Sequence, residues 1–348
     1  MSKGPSRVSE PRSLARLLTP LSLVVGAAVL VALACRFAGK LPPALSEFQP
    51  GWALLYLATA AIVVAAHAAR WQLIGRALNA SLPIGRLIAA RLAGEAVGAV
   101  MPSAKIAGDP VRIALVYTDG LPGPSAGAGV ALDRVAEVAG NILAAILYVV
   151  VFASTYHGRN RSPVFQVLVS LLVLLPALLF PLLMLRAGRR PLAPLYQWAK
   201  RRRGGWKRVA AAAHATEGQL ADFLSKHPQT FLLGVAASLF IEGLVIIEYE
   251  LLLRTFAVRL PLPTLLVALV FSGLSRAVPT PVGLGALEGS QVVALAIAGH
   301  TAAAGFLVGL IMRVHETLLT GIGLAVCLTR GLSLARLRLI AAADKAVA

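Results

Sequence analysis

Long apolar runs separated by short polar stretches dominate the chain. Six of them, at 20–38, 51–69, 126–153, 164–185, 230–253 and 301–328, come close to or exceed the ~20 apolar residues with which a helix spans a bilayer. Two further apolar segments do not fit that length. Residues 86–118 and 264–298 each hold an apolar arm of about 15 residues, a Pro/Gly break and a second short arm. Irregular backbone survives at membrane depth only where protein or a wet cavity covers it. Both segments are therefore predicted to be re-entrant helical hairpins. Residues 206–228 differ again. Trp206, Val209, Leu220, Phe223 and Leu224 suggest one apolar face, with Lys207, Arg208, Glu217, Asp222 and Lys226 elsewhere. This is the pattern of an amphipathic helix lying at the interface.

Composition agrees with a polytopic membrane protein. Hydrophobic residues make up 58% of the chain and charged ones 14%, where a soluble domain would carry about a quarter charged residues. The run at 20–38 follows a basic segment but is too long for the apolar core of a signal peptide, and it is read as a retained span. The net charge of +18 is not spread evenly. Lys and Arg number 20 in the N-terminal tail, residues 70–86, residues 186–208 and the C-terminal tail, against 5 in the alternate loops. That asymmetry places both termini in the cytoplasm. It assigns the basic patch 201–208 to an anionic inner leaflet rather than to nucleic acid. Cys35 and Cys327 fall in apolar spans, and the six histidines lack metal-ligand spacing. No disulfide framework, metal or cofactor is expected.

A single offset then organises the chain. Pro102 to Asp109 is 7 residues, as is Pro281 to Glu288; Asp109 to Arg134 is 25, as is Glu288 to Arg313; Arg134 to Glu137 is 3, as is Arg313 to Glu316. An offset of 179 maps each pair, and also Gly94 onto Gly273 and Gly120 onto Gly299. The expected architecture is all-α, with two repeats of three transmembrane helices plus one re-entrant hairpin. An odd number of crossings inverts the second repeat, an arrangement found in transporters with midplane sites. The predicted organisation is a cytoplasmic tail 1–19, repeat 1 over 20–156, repeat 2 over 157–328 with a basic loop and amphipathic helix at 186–228, and a tail 329–348.

The costly residues are the charges within apolar segments. Arg134 and Glu137 share a helix face at i,i+3, as do Arg313 and Glu316. A charge at the centre of a membrane helix costs roughly 2.5–3.5 kcal/mol on insertion scales. Two readings stay open: a clamp between the repeats, or a site for a charged headgroup. Arg313 is deeper than Arg134 and is the better functional candidate. Asp109 is expected to cap a helix with Pro110 at its first position. Lys105 and Arg112 beside that helix start would suit a phosphate, or would reach cytoplasmic water. Glu288 would cap or face a substrate. Arg91 and Glu95 read as a structural i,i+4 pair. Glu242, mid-span and without an opposite charge within a turn, is a proton-coupling candidate or a hydrogen-bond partner of a neighbouring helix. Glu248 and Glu250 are expected to be solvated. No nucleophile–base pair is apparent, so an enzyme is not expected.

At these residues a resemblance appears. AVMPSAKIAGDPVRIAL followed by ALDRVAEVAG, then AVPTPVGLGALEG followed by MRVHETLLTG, resembles the flippase-like family of the lysyl-phosphatidylglycerol synthase transmembrane region, which includes a member found in hopanoid gene clusters. It covers roughly residues 15–330 and departs from the family pattern at Ala99, Met101 and Ala107. The resemblance implies movement of an amphiphilic phospholipid or isoprenoid-type lipid between leaflets of the cytoplasmic (inner) membrane. Arg313, Glu316, Arg134, Glu137, Arg112, Lys105, Asp109 and Glu288 would guide the headgroup. The expected partners are membrane lipids with anionic headgroups and envelope-lipid biosynthesis enzymes, and no nucleic acid. The chain ends at Ala348, about 20 residues past the last span, so no transferase domain is expected. The alternatives are a proton-coupled secondary transporter of a small solute and a non-transporting scaffold for an envelope-lipid enzyme.

Overall fold

The computed structural model describes residues 31–32, 35–36, 46–100, 106–155, 162–191, 193–200, 206–277 and 285–330. The first predicted span, at 20–38, and the two hairpin breaks lie largely or wholly outside them. In chain order the helices are α1 (Pro50–Ala77), α2 (Ile84–Val100), α3 (Asp109–Thr118), α4 (Gly123–Thr155), α5 (Ser162–Arg186), α6 (Ala193–Lys200), α7 (Trp206–Lys226), α8 (Pro228–Thr255), α9 (Leu262–Ala277), α10 (Ala286–Ile297) and α11 (Ala302–Thr329). Among the described residues there is no strand. The protein is an all-helical, multi-pass membrane protein.

Length separates two kinds of helix. At 1.5 Å per residue, the 28 residues of α1, α8 and α11 extend about 42 Å, more than the ~30 Å hydrocarbon core. These three, with α4 and α5, are long and apolar enough to cross a membrane. Their outer faces keep apolar side chains exposed, such as Leu54, Leu57 and Ile62 on α1 and Val173 and Phe180 on α5. By contrast α2 has 17 residues, α9 has 16, α3 has 10 and α10 has 12. All four are shorter than an ordinary span.

The short helices come in pairs, α2 with α3 and α9 with α10, and each pair starts and ends together. Asp119, just after α3, lies 3.9 Å from Arg86 near the start of α2 and 2.9 Å from Arg330 just after α11. His300, between α10 and α11, lies 3.2 Å from the Arg259 carbonyl oxygen, just before α9. One pair therefore opens beside the C-terminal end of α11 and the other beside its N-terminal end. The second helix of each pair closes on a glycine in the left-handed region, Gly120 at φ 103° and Gly299 at φ 82°. The flanking bonds match at the same offset: Gly120 N–H to Tyr117 and Leu121 N–H to Val116, against Gly299 N–H to Ala296 and His300 N–H to Leu295. The equivalence of Gly120 and Gly299 thus has a cause, a C-terminal cap that L side chains rarely adopt. Gly94 and Gly273 are not equivalent in this sense. A Cβ at Gly94 would lie 2.5 Å from Arg112 Cγ, whereas one at Gly273 would meet nothing within 4 Å.

Packing is reciprocal. α1 and α8 pack antiparallel along each other, with the Gln49 N–H before α1 bonded to the Thr255 carbonyl at the end of α8 at 2.8 Å. α2 packs on α11, and α9 packs on α4, so each short first arm leans on the last long helix of the other half. Lipid tails are as apolar as leucine, so such contacts rely on close approach and polar bonds rather than on burial from water. The small residues fall accordingly: a Cβ at Gly323 would run into the Leu92 carbonyl, and one at Gly309 would lie 2.8 Å from Glu288 Cα. The amphipathic helix α7 packs on α4 and α5, burying Phe223 and Leu224 beside Ile74 and Leu132.

Gly323 and Gly321 offer a matched test. Gly323→Ala must open the α2–α11 contact, and overpacking of this kind costs about 1–3 kcal/mol. Gly321→Ala meets nothing within 4 Å and should match or exceed wild type. Thermal unfolding in detergent should show a lower midpoint for the first variant alone.

Candidate functional site

Charges from four helices converge in the first half. Asp133 on α4 is fully buried and accepts from Arg70 Nε on α1 at 2.9 Å and from Arg112 Nη2 on α3 at 2.5 Å. Glu137, one turn along, accepts from Arg70 Nη2 at 3.0 Å and from both terminal nitrogens of Arg91 on α2 at 3.2 Å. Asp109, the first residue of α3, takes Arg134 Nη2 at 2.9 Å and Nε at 3.2 Å. Arg91 also reaches Glu95 at 2.9 Å. Four arginines thus meet four carboxylates, which lets the charges sit inside the bundle where unpaired ones would not. Arg70 adds a 3.0 Å bond to Ser238 Oγ on α8, and the Arg112 guanidinium lies 4.3 Å from the Trp71 ring centre.

Among the described residues, the second half repeats part of this set. Glu288 on α10 is fully buried and accepts from Arg313 on α11 through Nε at 2.7 Å and Nη2 at 3.3 Å. Arg313 Nη1 donates to Glu316 at 3.2 Å. Beside this pair, the Tyr249 hydroxyl on α8 donates to the buried Gln291 Oε1 on α10 at 2.5 Å.

The offset of 179 pairs the residues of the two halves, some kept and some changed. Asp109, Arg134 and Glu137 correspond to Glu288, Arg313 and Glu316, and both sets make the same contacts. Arg70, Arg112 and Asp133 correspond to Tyr249, Gln291 and Met312. In the first half the acid bridges two arginines. In the second, tyrosine and glutamine bond directly and methionine replaces the acid. An ionic bridge and a neutral hydrogen bond occupy equivalent positions.

Several expected roles change. The intrahelical contact Arg134–Glu137 is long at 3.6 Å, and Arg134 is held chiefly by Asp109. Asp109 is no cap: Gly108 occupies that position and no side-chain cap bond forms. Its carboxylate turns to Arg134 because that cation is the stronger partner. Glu288 likewise binds Arg313. Arg112 does not reach water; it is buried against Asp133 and Trp71. Arg91 pairs with Glu95 as expected but extends to Glu137. Lys105 lies outside the described residues. Glu242 accepts from the Tyr148 hydroxyl on α4 at 3.2 Å. With its amide oriented to satisfy both groups, Asn141 donates to Glu242 at 3.0 Å and to the Glu137 carbonyl at 2.8 Å. Glu248, expected in water, is largely covered, at 15% side-chain exposure, and faces His315 on α11. Arg70, Asp133, Tyr249 and Gln291 were not expected in the site. The available signal was the offset of 179 that relates Arg70 to Tyr249 and Arg112 to Gln291, and, for Asp133, an acid set in an apolar run. Among the described residues no cluster of three or more His, Cys, Asp or Glu side chains is placed to hold a metal ion.

Residues 21–323 match the family described as the lysylphosphatidylglycerol synthase TM region. The chain is also similar to a UPF0104 membrane protein of Methanothermobacter thermautotrophicus, 25% identical over 289 residues that cover 80% of this chain and 85% of the relative.

The equivalence of the two polar triads can be tested by transplant. Asp133→Asn leaves two buried arginines short of an anion and should cost about 3–5 kcal/mol, the usual result of removing one partner of a buried pair. Arg70→Tyr with Arg112→Gln and Asp133→Met installs the second half's neutral set. It should recover most of the thermal stability in detergent that Asp133→Asn loses. A triple variant no more stable than Asp133→Asn would separate the two triads.

Proposed function

This chain belongs to the family of the lysylphosphatidylglycerol synthase TM region, and we propose that it moves an amphiphilic lipid between the leaflets of the cytoplasmic membrane without chemically altering it. The observation that carries the reading is the repeated acid–arginine–acid set, Asp109–Arg134–Glu137 and Glu288–Arg313–Glu316, each joining a short helix pair to a long span. Charges kept at membrane depth mark substrate paths more often than they aid stability. These two sets are not sealed. The side chains of Arg134 and Glu316 are 27% and 32% exposed, while the surrounding helices present apolar faces. Polar headgroup and apolar tails would each find a matching surface.

In this reading the short helix pairs are re-entrant hairpins and the two repeats are inverted. Supporting it are the pairs' common start and end points at opposite ends of α11. The basic residues set the orientation: Arg330 and Arg86 gather with Asp119 at one end, which is taken as cytoplasmic with both termini. Enzymes that make envelope lipids would supply the cargo.

The test uses vesicles of phosphatidylcholine and phosphatidylglycerol carrying fluorescently labelled phosphatidylglycerol in both leaflets, with dithionite quenching from outside. Wild type should expose the inner pool. Arg134→Gln and Glu316→Gln, which act on the partly exposed charges, should slow that exposure about tenfold, the effect of ~1.4 kcal/mol on a barrier, while remaining folded. Unchanged rates in both variants would remove these residues from the path. Solute uptake without lipid movement would replace the proposal with a solute carrier.

A further inference from the structure

Where α1, α8 and α11 meet, one nitrogen of His315 faces two oxygens. The Tyr56 hydroxyl lies 2.7 Å from Nδ1, and Glu248 Oε1 lies 3.7 Å from the same atom. The tyrosine ring stands edge-on to the imidazole, at 84° with centres 5.5 Å apart. Tyr56 is buried, while the His315 and Glu248 side chains keep 19% and 15% of their surface exposed. The three residues come from three long helices, so what happens at Nδ1 bears on how those helices hold each other.

The nitrogen cannot serve both oxygens alike in its two protonation states. In the neutral ring with its proton on Nε2, Nδ1 accepts from the Tyr56 O–H and offers nothing to a carboxylate. A second proton, taken up on Nδ1, makes that nitrogen a donor and the ring a cation, with the Glu248 carboxylate 3.7 Å away as counter-ion. Gaining a proton therefore moves the tie of α11 from α1 towards α8. Arg313 and Glu316 sit two residues before and one residue after His315 on α11, so this change is made within the same turn of the helix that carries the second acid–arginine–acid set.

Among the described residues, the other charged groups on the surrounding helices are engaged. On α10, Glu288 holds Arg313, which also takes Glu316 of α11. On α2, Arg91 and Glu95 pair with each other, Arg91 also binds Glu137, and Arg86 lies by Asp119. On α8, Glu250 holds Arg254 and Glu242 takes Tyr148. On α1, Arg70 belongs to the first network and Arg76 bonds Gln72.

We propose that Tyr56, His315 and Glu248 form a proton-binding site, and that binding and release of one proton there drives lipid movement at the adjoining Arg313–Glu316 pair. The inference rests on the lipid-moving reading and adds its energy source, a proton gradient. The proton comes from water on one side, bonds to Nδ1 opposite Glu248, and leaves to water on the other side. No bond other than that N–H forms or breaks, and nothing is oxidised or reduced.

The experiment reconstitutes the full chain in the same labelled phosphatidylcholine–phosphatidylglycerol vesicles, with pyranine in the lumen and a pH gradient imposed. Wild type should move labelled lipid faster with the gradient than without it, and pyranine should report proton entry. His315→Gln should abolish the gradient-dependent part of both signals. Tyr56→Phe removes the partner of the unprotonated ring and Glu248→Gln that of the protonated ring. Their pH profiles for lipid movement should therefore shift their midpoints in opposite directions, an effect that loss of packing would not produce. Gradient stimulation of His315→Gln equal to wild type overturns the proposal, as do wild-type midpoints in both other variants. Should wild type move no labelled lipid, the lipid-moving reading fails, and pyranine alone decides on the proton site. Proton entry with wild type and not with His315→Gln supports it, and equal traces overturn it.

Discussion

The fold depends on a two-point bond between an arginine on a long span and a carboxylate at the start of a short helix. Arg134 grips Asp109 and Arg313 grips Glu288, each through two nitrogens. A helix of 10 or 12 residues buries too little surface to fix itself in a bilayer, where apolar contact with protein gains little over contact with lipid. A charge-assisted, two-point bond supplies direction as well as strength. It sets the short helix against its span at one register. Glycine then lets the helices come close enough: the Glu288 backbone sits where a side chain at Gly309 would have to go.

The two halves use this bond in different settings. Around Arg134 the surroundings are ionic, with Arg70, Arg91 and Arg112 balanced by Asp133, Glu137 and Glu95. Among the described residues near Arg313, neutral Tyr249 and Gln291 stand at the positions of Arg70 and Arg112. A buried ionic network tolerates few alternative arrangements, because each displaced charge loses a specific partner. A tyrosine–glutamine bond can be exchanged at lower cost. The first half therefore reads as the fixed frame and the second as the half able to rearrange. The proton site of Tyr56, His315 and Glu248 lies on that second side.

Much of this was legible in the residues. Spans predicted at 51–69, 126–153, 164–185, 230–253 and 301–328 correspond to α1, α4, α5, α8 and α11, because apolar run length is a direct reading of bilayer thickness. The interrupted segments at 86–118 and 264–298 correspond to the two short helix pairs, and the offset of 179 located the residues that bind in parallel. The partners were less legible. Spacing along one helix shows i,i+3 neighbours, so Arg134 was matched to Glu137, whereas its two-point partner is Asp109, 25 residues earlier. Arg70 was counted among loop cations because it precedes a polar stretch, yet α1 continues to Ala77 and buries it. Glu248 was placed in water for its nearness to a helix end, and His315 meets it there from another helix. Such pairings arise from packing between elements and leave no mark on local periodicity.

Site-directed cysteine labelling from each side of the membrane tests the inverted architecture most directly. Cysteines placed one at a time within 79–85 and 119–124 should react from one side only, the cytoplasmic side. Cysteines within 257–261 and 298–301 should react from the opposite side only. Labelling of 79–85 and 119–124 from opposite sides would mean that the first helix pair crosses the membrane, and the inverted repeats with their paired acid–arginine–acid sets would not stand.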